Sequence, residues 1–190
     1  MSELLTDRLT RRPMSYSEYQ RLPEQLRAEW VDGEVVVAPS PSFRHQQAAR
    51  RLANLLENAL PELVVVEAVT VVLAPKTRER IPDVVVVTEE PSGFITETPM
   101  IAVEVTSPGN RSEDTVRKST EYLAAGVGQY WLADPTERTL DVFENGPDGW
   151  VVVARVDEAT PEASVSVRGH GTVAVALSAM FGPRPATDLV

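Results

Sequence analysis

Cysteine is missing altogether and only two histidines, His45 and His170, occur in 190 residues. The first absence excludes disulfides, thiolate metal sites and thiol nucleophiles, and it is compatible with a reducing, cytoplasmic setting. The second leaves little for a serine hydrolase, which needs a histidine base; Ser107 also lacks a nucleophile-elbow context. Long apolar runs are missing too. Val84 to Val87 and Leu63 to Val66 fall far short of the roughly 20 residues that span a bilayer, so no transmembrane helix is expected. The opening Met1-Ser2-Glu3-Leu4-Leu5-Thr6-Asp7 mixes charge into its apolar residues and lacks a signal-peptide core. No Gly-x-Gly-x-x-Gly follows a strand and no Walker-type Gly-Lys-Ser/Thr is present, so nucleotide-cofactor use has no support.

What the chain has in excess is acid. Its formal net charge of -10 argues against broad attraction to nucleic acid or to an anionic membrane, although part of that acid could await cations. Local basic clusters stand against this background at Arg44, Arg50 and Arg51, at Lys76, Arg78 and Arg80, and at Arg111, Arg117 and Lys118. The plain expectation for each is a solvated face.

The length suits one domain able to bury its own core. Residues 1–14 lack periodicity and read as a flexible arm, residues 15–180 as the domain, and residues 181–190 as a tail. Ser15-Tyr16-Ser17-Glu18 fits a capping box opening a short helix that stops near Pro23. Trp30 to Val37 reads as a hairpin turning at Asp32-Gly33. Ala48, Ala49, Leu52, Leu55, Leu56, Ala59 and Leu60 then recur at helical spacing until Pro61. Strands follow around 63–74, 82–88 and 100–106, then a helix over about 112–125 ending at Gly126. Further strands follow at Gln129 to Ala133, Thr139 to Glu144 and Trp150 to Val156. Val165, Val167, Val173 and Val175 mark weaker β structure. This order predicts an α/β (α+β) domain with a single mixed β-sheet flanked by helices.

Two of the strands each carry one acid. Ile81-Pro82-Asp83-Val84-Val85 and Ile101-Ala102-Val103-Glu104-Val105-Thr106 are β-branched runs, and an acid inside such a run loses hydration that only a partner or a cation can replace. Asp83 and Glu104 on neighbouring strands would suffice for Mg²⁺ or Mn²⁺, with the Val105 carbonyl as a neutral ligand. Asp114, Lys118 and Tyr122 repeat every four residues, and Lys118 could hold a water or counter charge in a phosphoryl transition state. Acid, acid and amine are the parts of a metal-dependent phosphodiester hydrolase. Each also has a plainer reading: Asp83 capping a turn, Glu104 pairing with an arginine such as Arg80, and Asp114 with Lys118 as a surface pair.

Arg80-Ile81-Pro82-Asp83, Val103-Glu104-Val105-Thr106-Ser107-Pro108, Lys118 to Tyr122 and Tyr130-Trp131-Leu132-Ala133-Asp134-Pro135 resemble the Uma-type restriction endonuclease family of the PD-(D/E)XK nuclease superfamily. The match extends upstream to Val31-Asp32-Gly33-Glu34, Pro39-Ser40-Pro41-Ser42 and His45. The resemblance implies a restriction-endonuclease-like core, Asp83 and Glu104 as metal ligands, and DNA as substrate. Thr106 stands where the superfamily has a lysine, and Lys118 matches the lysine that this family carries on the following helix. Glu34 and His45 are supporting candidates; Trp30 and Trp131 are expected in the core. A homodimer is the expectation by analogy, through Tyr130 to Ala133 or the β-rich tail. The rival reading is an inactive oligomeric interaction or nucleic-acid-binding module on the same fold, motivated by the acidic charge and by Thr106.

Overall fold

The computed structural model describes residues 9–23, 26–107 and 113–183, with side chains described from residue 116 onward in the last segment. It has the expected mixed α+β class, but the strands divide among three sheets instead of one. A five-stranded antiparallel sheet holds β1 (Thr10–Pro13), β2 (Ala28–Val31), β3 (Glu34–Val37), β5 (Val71–Ala74) and β6 (Arg78–Arg80) in the order β1-β3-β2-β6-β5. A six-stranded sheet holds β4 (Val64–Glu67), β7 (Val84–Val87), β8 (Ile101–Val105), β9 (Gln129–Asp134), β10 (Thr139–Gly146) and β11 (Gly149–Val156) in the order β11-β10-β9-β8-β7-β4. Strands β12 (Glu162–Val167) and β13 (Gly171–Ala176) form a separate hairpin.

The division has local causes. Residues 63–74, one strand region by sequence pattern, break at Ala68, whose φ of 55° interrupts extended backbone. The first half then pairs with β7 and the second with β6. Two strands had no apolar signal to reveal them. Thr10–Pro13, expected in a loose arm, pairs with β3, and the charged Arg78–Arg80 bridges β2 and β5. Residues 1–8 of that arm and 184–190 of the expected tail lie outside the described residues.

The capping box closes as expected, with Ser15 accepting from the Glu18 N–H and Glu18 accepting from the Ser15 N–H ahead of α1 (Tyr16–Tyr19). Asp32 and Gly33, at φ 50° and 90°, make the tight turn between β2 and β3. Helix α2 (Phe43–Ala59) begins at the N-cap Ser42 and ends before Pro61. Its buried Ala48, Ala49, Leu52 and Leu56 share a core with Val84, Val86, Val103, Val105 and Trp131.

Alternation then sets the site. Ile101, Val103 and Val105 face α2, so Ala102 and Glu104 face the opposite side, where Ala102 packs with Tyr122. That side is covered by a π-helical turn, Glu113–Lys118, which runs into α3 (Ser119–Ala124). Gly126, at φ 82°, follows the helix end as expected. The pattern had not indicated α4 (Leu177–Phe181), which packs against α2.

Candidate active site

Strand register brings the two acids together. Val84 pairs with Val103, so Asp83 and Glu104 occupy adjoining positions where β7 begins and β8 ends. The Asp83 N–H donates to the Val103 carbonyl, and Asp83 Oδ2 accepts the Val105 N–H at 2.9 Å. Asp83 thus ties the start of β7 to the end of β8 by a cross-strand bond, where a local turn cap was the plainer expectation. His45 enters from the first turn of α2, where its N–H donates to Ser42 Oγ, and its Nε2 lies 3.1 Å from Asp83 Oδ2. His45 Nδ1 is buried without a hydrogen-bond partner. Burial pushes the Asp83 carboxyl up. The His45 hydrogen bond and charge, the Lys118 charge and the Val105 N–H outweigh it and hold the carboxyl below its ordinary value.

Glu104 is approached from α3 and the turn before it. Lys118 Nζ donates to Glu104 Oε1 at 2.9 Å, and the Tyr122 hydroxyl donates to the same oxygen at 2.6 Å. Residues 118 and 122 thus share a face as their spacing predicts. Asp114 belongs to a stretch whose side chains lie outside the described ones. Burial, and then the Glu104 charge, push the Tyr122 phenol well above its ordinary value, so it stays a donor at neutral pH.

The pattern missed Glu29. This acid on β2 lies 3.3 Å from Lys118 Nζ, accepts the Ile81 N–H at 3.0 Å, and meets Arg80 NH1 at 2.7 Å. Burial raises its pKa, but the Lys118 and Arg80 charges reverse that and bring it to about 2. Arg80 continues to Glu121 Oε2 at 2.6 Å, and Glu121 accepts from Arg117 at 3.2 Å. The solvated-face expectation fails for one residue in each of two cationic clusters, Arg80, fully buried, and Lys118, 7% exposed, while Lys76 is exposed and Arg78 and Arg117 are half-buried. Arg80 and Lys118 are drawn inward by buried acids. The signal for Glu29 was the one that marked Glu104, an acid within an apolar strand, Ala28-Glu29-Trp30-Val31.

Glu34 is not brought into this group; it pairs with Arg11 at 3.5 Å on β3. Trp30 and Trp131 are core residues, with their ring N–H groups bonded to the Lys76 carbonyl and to Gln129. Thr106 is buried, and its N–H donates to the Ala133 carbonyl.

Asp83, Glu104, Val105, Lys118, His45 and Glu29 line one cleft of about 70 Å³. Among the described residues no three His, Cys, Asp or Glu side chains are grouped as a metal cage. A hard divalent ion needs only one or two carboxylates, the rest of its shell being carbonyl and water oxygen. Asp83 Oδ1, with Arg27 at 3.7 Å, lies beyond hydrogen-bond length from that cation.

The family described as "Uma2: Putative restriction endonuclease" matches residues 16–175. The chain belongs to the Uma2 family. The match takes in every strand from β2 to β12 and most of β13. A crystal structure of a protein described as a putative nuclease belonging to DUF820, from Anabaena variabilis, superposes with a TM-score of 0.71 at 20% identity. The alignment covers 89% of this Uma2 chain and 98% of that one, which establishes a shared fold. No curated protein matches.

Proposed function

We propose that this Uma2 protein is a metal-dependent endonuclease that hydrolyses phosphodiester bonds of DNA with a water nucleophile. The carrying observation is Lys118 Nζ at 2.9 Å from Glu104 Oε1, in the cleft that also holds Asp83 and Val105. Asp83 and Glu104 would hold Mg²⁺ or Mn²⁺, with the Val105 carbonyl beside them. Such an ion, when bound, polarises a phosphoryl oxygen and acidifies water.

The remaining work belongs to the chain. Lys118 presents a fixed positive charge to the cleft and counters negative charge gathering on the phosphoryl oxygens. Glu29 and Tyr122 hold that ammonium and Glu104 in place, the first by charge and the second by its hydrogen bond. His45 fixes Asp83 Oδ2, and both residues line the cleft. In this arrangement the cation expected two residues after Glu104 is supplied from the helix, and Thr106 serves the sheet.

Two strands of a duplex call for two such centres, so the proposal includes a homodimer. Of the contact surfaces expected for it, Tyr130 to Ala133 is ruled out by its place in central strand β9, where Tyr130, Trp131 and Ala133 are buried. The outer strand β11 offers Val151, Val152 and Val153, at 53%, 60% and 45% exposure.

Nicking of supercoiled plasmid in Mn²⁺ tests the reading. The parent should cut, and Lys118→Ala and Glu104→Ala should each reduce cutting at least about 100-fold with the fold retained. Equal cutting by parent and variants would sink it. An intact parent that neither cuts nor shifts in melting temperature with Mn²⁺, yet forms a stable oligomer, would favour the inactive interaction module.

A further inference from the structure

A second groove opens on the other side of the α2 N-terminus. Phe43, Arg44, Arg51, Thr136, Arg138 and Phe181 are among its walls, and no acidic side chain lines it among the described residues. In a chain of net charge -10, Arg44, Arg51 and Arg138 line this one groove, with Glu158 paired to Arg138 from outside the lining. Its volume is about 360 Å³.

The groove is built. Arg138 is held by Glu158 at 3.0 Å and by the Gly182 carbonyl at 3.0 Å, and it lies 5.9 Å over the Phe181 ring. Arg51 rests against Gly182, where an added Cβ would stand 2.6 Å from its NH1; at φ 70° that position also favours glycine. Arg44 and Arg51 lie two helical turns apart on one face of α2, about 10 Å along its axis. Phe43, 77% exposed, stands at the rim.

Placement ties the groove to the cleft. β8 and β9 run parallel with Val105 beside Ala133, so the cleft at Val105 and the groove at Pro135 and Thr136 open at the same end of this pair. The first two turns of α2 separate them, with His45 lining the cleft and Arg44 and Ala48 the groove. A polyanion crossing the start of α2 would meet both.

We infer that this arginine groove binds the sugar-phosphate backbone of the DNA strand whose scissile bond lies in the cleft. The inference rests on the nuclease reading for its ligand, but its binding term is measurable without cleavage. Each phosphate neutralised by an arginine releases counterions and steepens the dependence of affinity on salt. Acidic charge elsewhere on the molecule keeps that contact local, so the DNA is held where the arginines are.

The experiment is fluorescence anisotropy of a labelled DNA duplex in Ca²⁺ across a salt series, with nicking in Mn²⁺ read in parallel. Arg44→Ala/Arg51→Ala should weaken binding about tenfold or more and lower the magnitude of the salt slope by about 2, with an unchanged melting temperature. Arg44→Lys/Arg51→Lys should keep most of the affinity. Arg138 is left alone because its bonds hold α4. Unchanged affinity and slope in the alanine variant, no binding by the parent, or equal binding of polyglutamate would overturn the inference. Arginine-dependent binding by a parent that never nicks would support the groove while removing the nuclease reading; nicking with arginine-independent binding would do the reverse.

Discussion

Lys118 stands between two buried carboxylates, Glu104 at 2.9 Å and Glu29 at 3.3 Å, so its removal should cost stability as well as the proposed activity. Truncating one member of a buried ion pair leaves its partner uncompensated, at roughly 3 kcal/mol or more. Lys118→Met should lower the urea unfolding free energy by about that amount, and adding Glu104→Gln should recover part of it. Strict additivity of the two changes would refute a direct coupling. Glu29 carries the pH signature. Its folded pKa of about 2 lies below the usual glutamate value of 4.5, so its stabilisation is full above 4.5 and declines as pH falls toward 2. Urea midpoints should drop across that window, and the Glu29→Gln protein should drop less; parallel curves would be the wrong result. At this scale the sequence was readable where an acid broke an apolar run, as at Asp83 and Glu104. Glu29 obeyed the same rule but sat beside a strong turn signal, Asp32-Gly33, and its partners Arg80 and Lys118 come from distant segments. Glu34 carried no such signal, and the structure pairs it with Arg11.

At the scale of elements, the parallel β8–β9 pair and the turn leading into it position the site. Gly128 makes that turn possible by close approach: a Cβ there would stand 2.8 Å from the Met100 carbonyl oxygen, a backbone atom that cannot swing aside. Gly128→Ala should therefore destabilise the fold by about 1–3 kcal/mol in urea unfolding, and an unchanged midpoint would show that the turn relaxes freely. Most elements were legible because their signals are local. Helix α2 has its apolar spacing and the Ser42 cap, and β7 and β8 their largely β-branched runs. What was not legible depends on pairing. β6 is Arg-Glu-Arg and becomes a strand because β2 and β5 flank it, and the 63–74 region divides because its halves have different partners. The π-helical turn before α3 has no residue pattern of its own; such turns recur at functional sites, and this one ends on Lys118.

At the scale of the molecule, an acidic chain places its cations in contrasting settings. Some, such as Arg80 and Lys118, are buried against acids, and others line the groove beside α2. No helix among the described residues is long and apolar enough to cross a membrane. The outer strand β11 exposes Val151 to Val153, a β-branched run of the kind that pairs with another copy. Val152→Arg should shift sedimentation from dimer to monomer and convert double-strand cutting into nicking; a monomeric parent would remove that surface from the account. Asp83 and Glu104 are proposed to form a metal centre that cleaves DNA. That centre is tested most directly by single-turnover cleavage of a duplex over a Mn²⁺ titration, with the parent beside the Asp83→Ala/Glu104→Ala protein. The parent should show saturable, EDTA-reversible cleavage and the folded variant none. Cleavage by the variant at the parent's rate and Mn²⁺ midpoint would contradict the proposed centre.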